Sequence, residues 1–228
     1  MTGGGLADLT WPEAAGRSQA VLVVPLGATE QHGPHLPVST DTDVATALAR
    51  RVAGRSDVVV APALPYGASG EHAGFAGTLS IGQEALELVV VELVRSAAGS
   101  FGRVLLLSAH GGNAAPLARA VARLRAEQHD VRAWSPRWRG DAHAGRTETS
   151  VQLALGGRVR PGLGQAGATA PLAELLPELR RSGVRGVSPN GVLGDPAGAA
   201  ADEGNRLLAD AAADLAAVLD GWPVSAPA

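Results

Sequence analysis

Short apolar runs alternate with longer amphipathic stretches along this chain, and that alternation constrains its fold more than any other feature. Ala20 to Leu26 (AVLVVPL) is β-branched, apolar and followed by Gly27, the pattern of a strand buried on both faces. The run from Asp57 to Leu64 predicts a second strand, Arg103 to Ser108 a third, and Val131 to Trp134 a shorter fourth. Helical periodicity predicts helices from Asp43 to Val52, Gln83 to Ala98 and Ala114 to Gln128. Two more are expected from Glu148 to Leu155 and from Asp202 to Leu219. Asp43 and Asn113 are placed to cap the first and third of these helices. Strands separated by helices need crossover connections, so the expected fold is α/β. It is a three-layer sandwich, with a mainly parallel sheet and helices on both faces. The Gly- and Pro-rich stretch from Gly156 to Pro171 reads as a loop. No linker or repeat divides the 228 residues, so one domain spanning 1–228 is expected, with 1–8 and 222–228 as flexible tails.

Composition narrows the chemistry. A formal net charge of -3 with no dominant basic patch argues against nucleic acid as a partner. There are no cysteines, which excludes disulfides and thiolate metal ligands, so any metal must be held by His, Asp and Glu. The first residues lack the basic-then-apolar pattern of a signal peptide, and no apolar run approaches the ~20 residues that span a bilayer. A cytoplasmic protein without a membrane partner is the expectation.

Five of the six histidines fall in polar, Gly-rich segments. The first cluster runs Gly27-Ala-Thr-Glu30-Gln-His32-Gly-Pro-His35 and ends at Asp41-Thr-Asp43, leaving the carboxyl end of the first strand. In extended chain Glu30 and His32 point the same way, a carboxylate and an imidazole on one side of a rigid segment. Asp41 can return to them after the Gly-Pro turn, whereas Asp43 is better placed as a cap. The second cluster, Ser108-Ala-His110-Gly111-Gly112-Asn113, follows the third strand directly. Ligands of open parallel sheets gather beyond the carboxyl ends of strands, so two such loops carrying metal-competent groups point to one site. The third cluster holds His143 and Glu148 across a loop-to-helix transition, where capping is the plain alternative for Glu148. His35 is expected to support its loop, His129 to be solvated, and Glu71 with His72 to line the substrate pocket. Gly162-Leu-Gly-Gln-Ala-Gly167 matches a dinucleotide fingerprint but lacks its strand-turn-helix context. His110-Gly-Gly is like an esterase oxyanion loop, yet no G-x-S-x-G elbow accompanies it.

Together, Thr29-Glu30-Gln-His32-Gly-Pro-His35-Leu-Pro with Asp41, His110-Gly-Gly-Asn113, and His143-Ala-Gly followed by Glu148-Thr-Ser resemble the creatininase family. Ser188-Pro-Asn-Gly-Val-Leu-Gly-Asp195-Pro adds to the likeness, which runs from about Leu9 to the last helix. The resemblance implies a creatininase-like fold and an amide hydrolase using one or two divalent ions, and the all-oxygen and nitrogen donors admit Fe2+, Zn2+ or Mn2+. It implies Glu30, His32, Asp41 and His110 as ligands, Asp41 bridging, and a homo-oligomeric assembly. Creatininases proper carry a glutamate two residues after the histidine matched by His110; Gly112 stands there, which makes Glu148 the replacement ligand and disfavours creatinine as substrate. The phrases Pro65-Tyr-Gly-Ala-Ser-Gly-Glu-His72 and Gly77-Thr-Leu-Ser-Ile-Gly82 resemble the family's peptidases that trim a modified precursor peptide. A modified peptide is therefore the expected substrate. A small cyclic amide or formamide is the alternative, and a non-catalytic, metal-bound peptide-binding subunit is the rival from another class. In the hydrolase reading His143 protonates the departing amine, and the N–H groups of Gly111 and Gly112 face the developing oxyanion.

Overall fold

The computed structural model describes residues 5–222. After a short helix α1 (Trp11–Ala15), the chain lays down β1 (Val21–Leu26), α2 (Thr40–Val52), β2 (Val58–Val60) and α3 (Gln83–Ala97). It continues through β3 (Arg103–Ser108), α4 (Ala114–Ala126), β4 (Asp130–Trp134) and α5 (Arg146–Ala154), and closes with α6 (Leu172–Val187) and α7 (Ala201–Asp220). The four strands form one sheet in the order β2-β1-β3-β4, parallel at every pairing.

Alternation along the central strands makes the three layers. Leu22, Val24 and Leu26 of β1, with Val104 and Leu106 of β3, face one side and pack on Leu86, Val90 and Val94 of α3 and Leu117 and Leu124 of α4. Val21 and Val23, with Leu105 and Leu107, face the other side and meet Val44 and Leu48 of α2, Val151 of α5, and Leu208 and Leu215 of α7. Leu105, Leu107, Leu48 and Leu208 are fully buried, each such side chain contributing about 2 kcal/mol of transfer free energy.

The structure differs from the expectations at several boundaries. β2 stops at Val60 because Pro62 has no N–H for the ladder; pairing resumes only at an isolated bridge between Leu26 and Leu64. α2 begins at Thr40, not Asp43, so Asp43 lies inside its first turn and accepts a hydrogen bond from Ser39 Oγ at 2.9 Å. Asn113 precedes α4 but makes no side-chain cap. Instead its amide donates to Gly27 O and accepts from the Ala68 N–H, both at 3.0 Å, tying together the segments after β1 and β2. α6 was not foreseen: Pro177 sits within it, Gly183 (φ 67) kinks it, and of its residues only Val184 is buried. The expected tails are partly ordered. Gly5 bridges Val60, Leu6–Asp8 form a 3-10 turn, and Trp222 is buried with its indole N–H on Asp130. Residues 1–4 and 223–228 lie outside the described residues. No helix among the described residues is long and apolar enough to cross a membrane.

Candidate metal centre

β1 and β3 are adjacent and in register, Leu26 beside Ser108, so the loops that follow them leave the same sheet edge together. The loop after β1 is pinned by its own backbone. Glu30 N–H donates to Val38 O at 3.1 Å, and Leu79 N–H donates to Thr29 O at 2.8 Å. That holds Glu30 and His32 buried and aimed inward. Asp41 arrives from the first turn of α2, whose positive dipole end favours a carboxylate. His110 stands two residues past β3. From farther along the chain, His143 is held by reciprocal backbone bonds with Leu193, and Glu148 Oε2 accepts from the Ala144 N–H at 2.6 Å in the first turn of α5.

These side chains converge. Asp41 Oδ1 lies 3.3 Å from His32 Nε2, and Asp41 Oδ2 lies 3.3 Å from His110 Nδ1. Glu30 Oε2 is 3.3 Å from His110 Nε2, and Glu148 Oε2 is 3.9 Å from His32 Nε2. Two sets of donor atoms, Glu30–Asp41–His110 and His32–Asp41–Glu148, each fall within 4.8 Å of one another and share Asp41. A third set, Glu30–His32–His143, meets the same limit. Both oxygens of Glu30 and Oδ2 of Asp41 are buried without a hydrogen-bond partner. Leaving carboxylate oxygens so is costly by several kcal/mol per ion, and a divalent cation among oxygen and imidazole donors removes that cost. The residues present fit a metal.

The electrostatics follow from this crowding. Burial alone would depress the His32 imidazole, but Asp41, with Glu148 and Glu30, outweighs burial and lifts it from 6.5 to about 10. His110 is likewise raised well above its ordinary value, against burial, by Asp41 and Glu30. Burial opposes ionisation of Asp41, yet His32 and His110 hold its carboxyl well below the usual carboxylate range. Glu148 moves the other way: burial, reinforced by Asp41 and Glu30, pushes it to about 7 despite His32. Burial depresses His72 to about 4 despite Glu30, and takes His143 well below its ordinary value, with His32 and His72 adding to the effect. Without metal, the cluster therefore keeps protons on His32 and His110 that an ion has to displace.

The remaining expected residues fall around this core. His72 Nε2 stands 3.3 Å from Glu30 Oε1, and Glu71, partly exposed, reaches to 3.6 Å from His110 Nε2. Gly111 opens to solvent, whereas a Cβ on Gly112 would run into Ala68 O, the His110 ring and Glu71. No side chain fits at 112, and the carboxylate next to His32 and Asp41 is Glu148 instead. His35 joins the first loop to α5 through Thr149 Oγ1 at 2.8 Å, the supporting role expected of it. His129 lies half-buried near Glu127, away from the cluster. Gln31 escaped sequence reasoning: it is buried behind Glu30 and His32 and touches both His72 and His143. Its only sequence signal was its place between two ligand candidates.

Known proteins are similar to this chain over nearly its whole length. The family profile described as creatinine amidohydrolase matches residues 7–219. The mycofactocin precursor peptide peptidase of Mycobacterium ulcerans (strain Agy99) is 48% identical over 225 residues, covering 93% of this chain and 86% of that protein. The protein of the same name from Mycobacterium tuberculosis (strain CDC 1551 / Oshkosh) is 50% identical over 214 residues, covering 88% and 85%. A manganese form of creatininase superposes with a TM-score of 0.81 at 26% identity, over 97% of this chain and all of its own. With a parallel α/β sandwich, a buried carboxylate–imidazole cluster at the carboxyl edge of its sheet, and this extent of similarity, the chain belongs to the creatininase family of metal-dependent hydrolases.

Proposed function

We propose that this protein is the peptidase that cleaves the modified mycofactocin precursor peptide and releases its C-terminal Val-Tyr-derived fragment. Two observations support the reading: near-full-length similarity to proteins named for that substrate, and two three-donor groups joined at Asp41. The second carries the chemistry. A divalent ion held there would supply Lewis-acid chemistry, polarising an amide carbonyl and making water acidic enough to attack near neutral pH. Iron(II), zinc and manganese all suit the oxygen and imidazole donors, and creatininase forms named for manganese and for zinc both superpose on this chain.

The chain's own groups do the rest. Glu30, Asp41 and His110 would hold one ion, and His32, Asp41 and Glu148 a second, with Asp41 common to both sets. His143, neutral because it is buried, takes a proton at Nδ1 from the attacking water, whose oxygen bonds to the carbonyl carbon, and returns it to the amine as the C–N bond breaks. The N–H groups of Gly111 and Gly112, beside His110, would face the carbonyl oxygen. Glu71, at the more open side of the cluster, meets the peptide.

The test is to purify the protein anaerobically, measure bound metal by elemental analysis, and incubate it with the modified precursor peptide, reading products by mass spectrometry. Chelated protein and His110→Ala serve as controls. Metal-dependent release of the C-terminal fragment supports the proposal. Intact peptide with a small cyclic amide or formamide consumed would replace it, and peptide bound but never cleaved would point to a binding subunit.

A further inference from the structure

We propose that Gln31 is a positioning residue that holds both imidazoles beside Glu30 in the Nε2-protonated form, so that His72 presents its N–H on the Glu30 side and His143 presents a bare nitrogen there. The assignment itself needs only the geometry; its kinetic consequence rests on the proposed function.

The Gln31 side chain is held by two backbone groups whose polarity cannot change. Gly33 N–H donates to Oε1 at 2.8 Å, and Nε2 donates to Gly191 O at 3.0 Å. Flipping the amide would set N–H against N–H and carbonyl against carbonyl, so its orientation is decided. Gly191, at φ +80, presses directly on this amide, and a Cβ there would overlap it. One Nε2 hydrogen is used on Gly191. The other points at His72 Nδ1, 2.9 Å away. His72 must accept it, so Nδ1 is bare and the ring's proton sits on Nε2, 3.3 Å from Glu30 Oε1.

The backbone of the same residue decides the second ring. Gln31 O lies 2.8 Å from His143 Nε2. A carbonyl only accepts, so this nitrogen carries the proton. The opposite choice would place two acceptor lone pairs 2.8 Å apart. Gln31 Nε2 is also 3.1 Å from His143 Nε2, but both of its hydrogens are already engaged. His143 Nδ1 is then bare, 3.8 Å from Glu30 Oε1 and in the donor set with Glu30 and His32.

The two rings are in contact, with centroids 4.5 Å apart, yet they receive different duties. His72 carries its N–H on the side of Glu30, 3.3 Å from Oε1 but not hydrogen-bonded to it, and cannot itself ligate through Nε2. His143 offers the lone pair, free to accept a proton or to meet an ion. Partners of this kind fix tautomer and orientation around metal sites. Gln31 lies between Glu30 and His32, so period-two alternation turns its side chain away from theirs and behind the site.

The experiment is a long-range 1H–15N correlation spectrum of protein labelled with 15N-histidine, metal-free and zinc-loaded, for wild type, Gln31→Glu and Gln31→Ala. It reads which nitrogen of each ring carries the proton. In the wild type, both His72 and His143 should show the Nε2-protonated pattern. Gln31→Glu puts an acceptor against His72 Nδ1 and should move the proton there. Gln31→Ala keeps the backbone carbonyl, so His143 should hold its pattern while His72 becomes a mixture. On the precursor peptide, kcat of Gln31→Glu should fall about 10–100-fold, the range for outer-shell partners, with KM little changed. A wild-type His72 protonated at Nδ1, or wild-type patterns retained in both variants, would overturn the proposal. The metal-free spectra decide it even if the peptide proves not to be the substrate. A variant that fails to fold leaves the wild-type assignment as the deciding measurement.

Discussion

Asp41 offers Oδ1 toward His32 and Oδ2 toward His110, so the two halves of the cluster depend on one carboxylate. Asp41→Asn should therefore release metal from both positions, and kcat/KM should fall by more than the ~10–100-fold typical of outer-shell changes. Glu148→Gln touches one donor set only; elemental analysis should show one position weakened and the Glu30–Asp41–His110 position retained. Unchanged metal stoichiometry in this variant would remove Glu148 from the ligand set. Gly112 is constrained by space, since any Cβ meets Ala68 O, His110 and Glu71. Gly112→Ala should cost about 1–3 kcal/mol through overpacking, read as a lowered urea midpoint at unchanged slope. Glu30, His32, Asp41 and His110 were legible one by one, because their residue types and loop positions are written in the chain. Gln31 was not, since nothing local says that its amide will meet residues 41 and 112 positions later.

The elements that deliver these residues differ in how plainly they announce themselves. β1 and β3 are continuous apolar runs because both faces are covered, and both were legible to within a residue. α3 carries its apolar residues at helical spacing and was equally clear. α6 was not, because a helix that buries only Val184 and contains Pro177 carries neither a core stripe nor a clean propensity signal. Asn113, read as a cap, instead fastens one segment to another, with Ser108 Oγ at 3.3 Å as a third partner. Asn113→Ala leaves the Gly27 carbonyl and the Ala68 N–H without that partner. Such a change costs about 1–3 kcal/mol where the groups are buried. Thermal melts of metal-free protein should show the loss, and zinc should recover part of it by binding only the folded state.

For the molecule as a whole, protons and metal compete for one cluster. The folded His32 imidazole stands at about 10 against an ordinary 6.5, so its contribution to the metal-free protein is fully present below pH 6.5 and is lost as pH rises towards 10. His110, also raised, acts with the same sign, and Glu148, raised to about 7, adds to it between 4.5 and 7. The depressed His72 and His143 act below this window, their stabilisation being lost as pH falls beneath 6.5. The melting temperature of metal-free protein should therefore decline between pH 7 and 10, while zinc-loaded protein should hold steadier. Metal binding should release protons at pH 7, measurable by calorimetry in buffers of different ionisation enthalpy. A flat metal-free profile with no proton release would show that His32 and His110 are not the sites displaced.

The sequence by itself determined the layer order, the carboxyl edge of the sheet as the place of the site, and most of the donor types. Those properties follow from periodicity and residue chemistry, which are local. Tertiary structure decided what depends on distances between remote segments. It brought Glu148 to Asp41 across 107 positions, closed position 112 to any side chain, and set His72 against the side-chain amide and His143 against the backbone carbonyl of one glutamine. Packing two covered faces of one sheet fixes those separations, and no local pattern carries them.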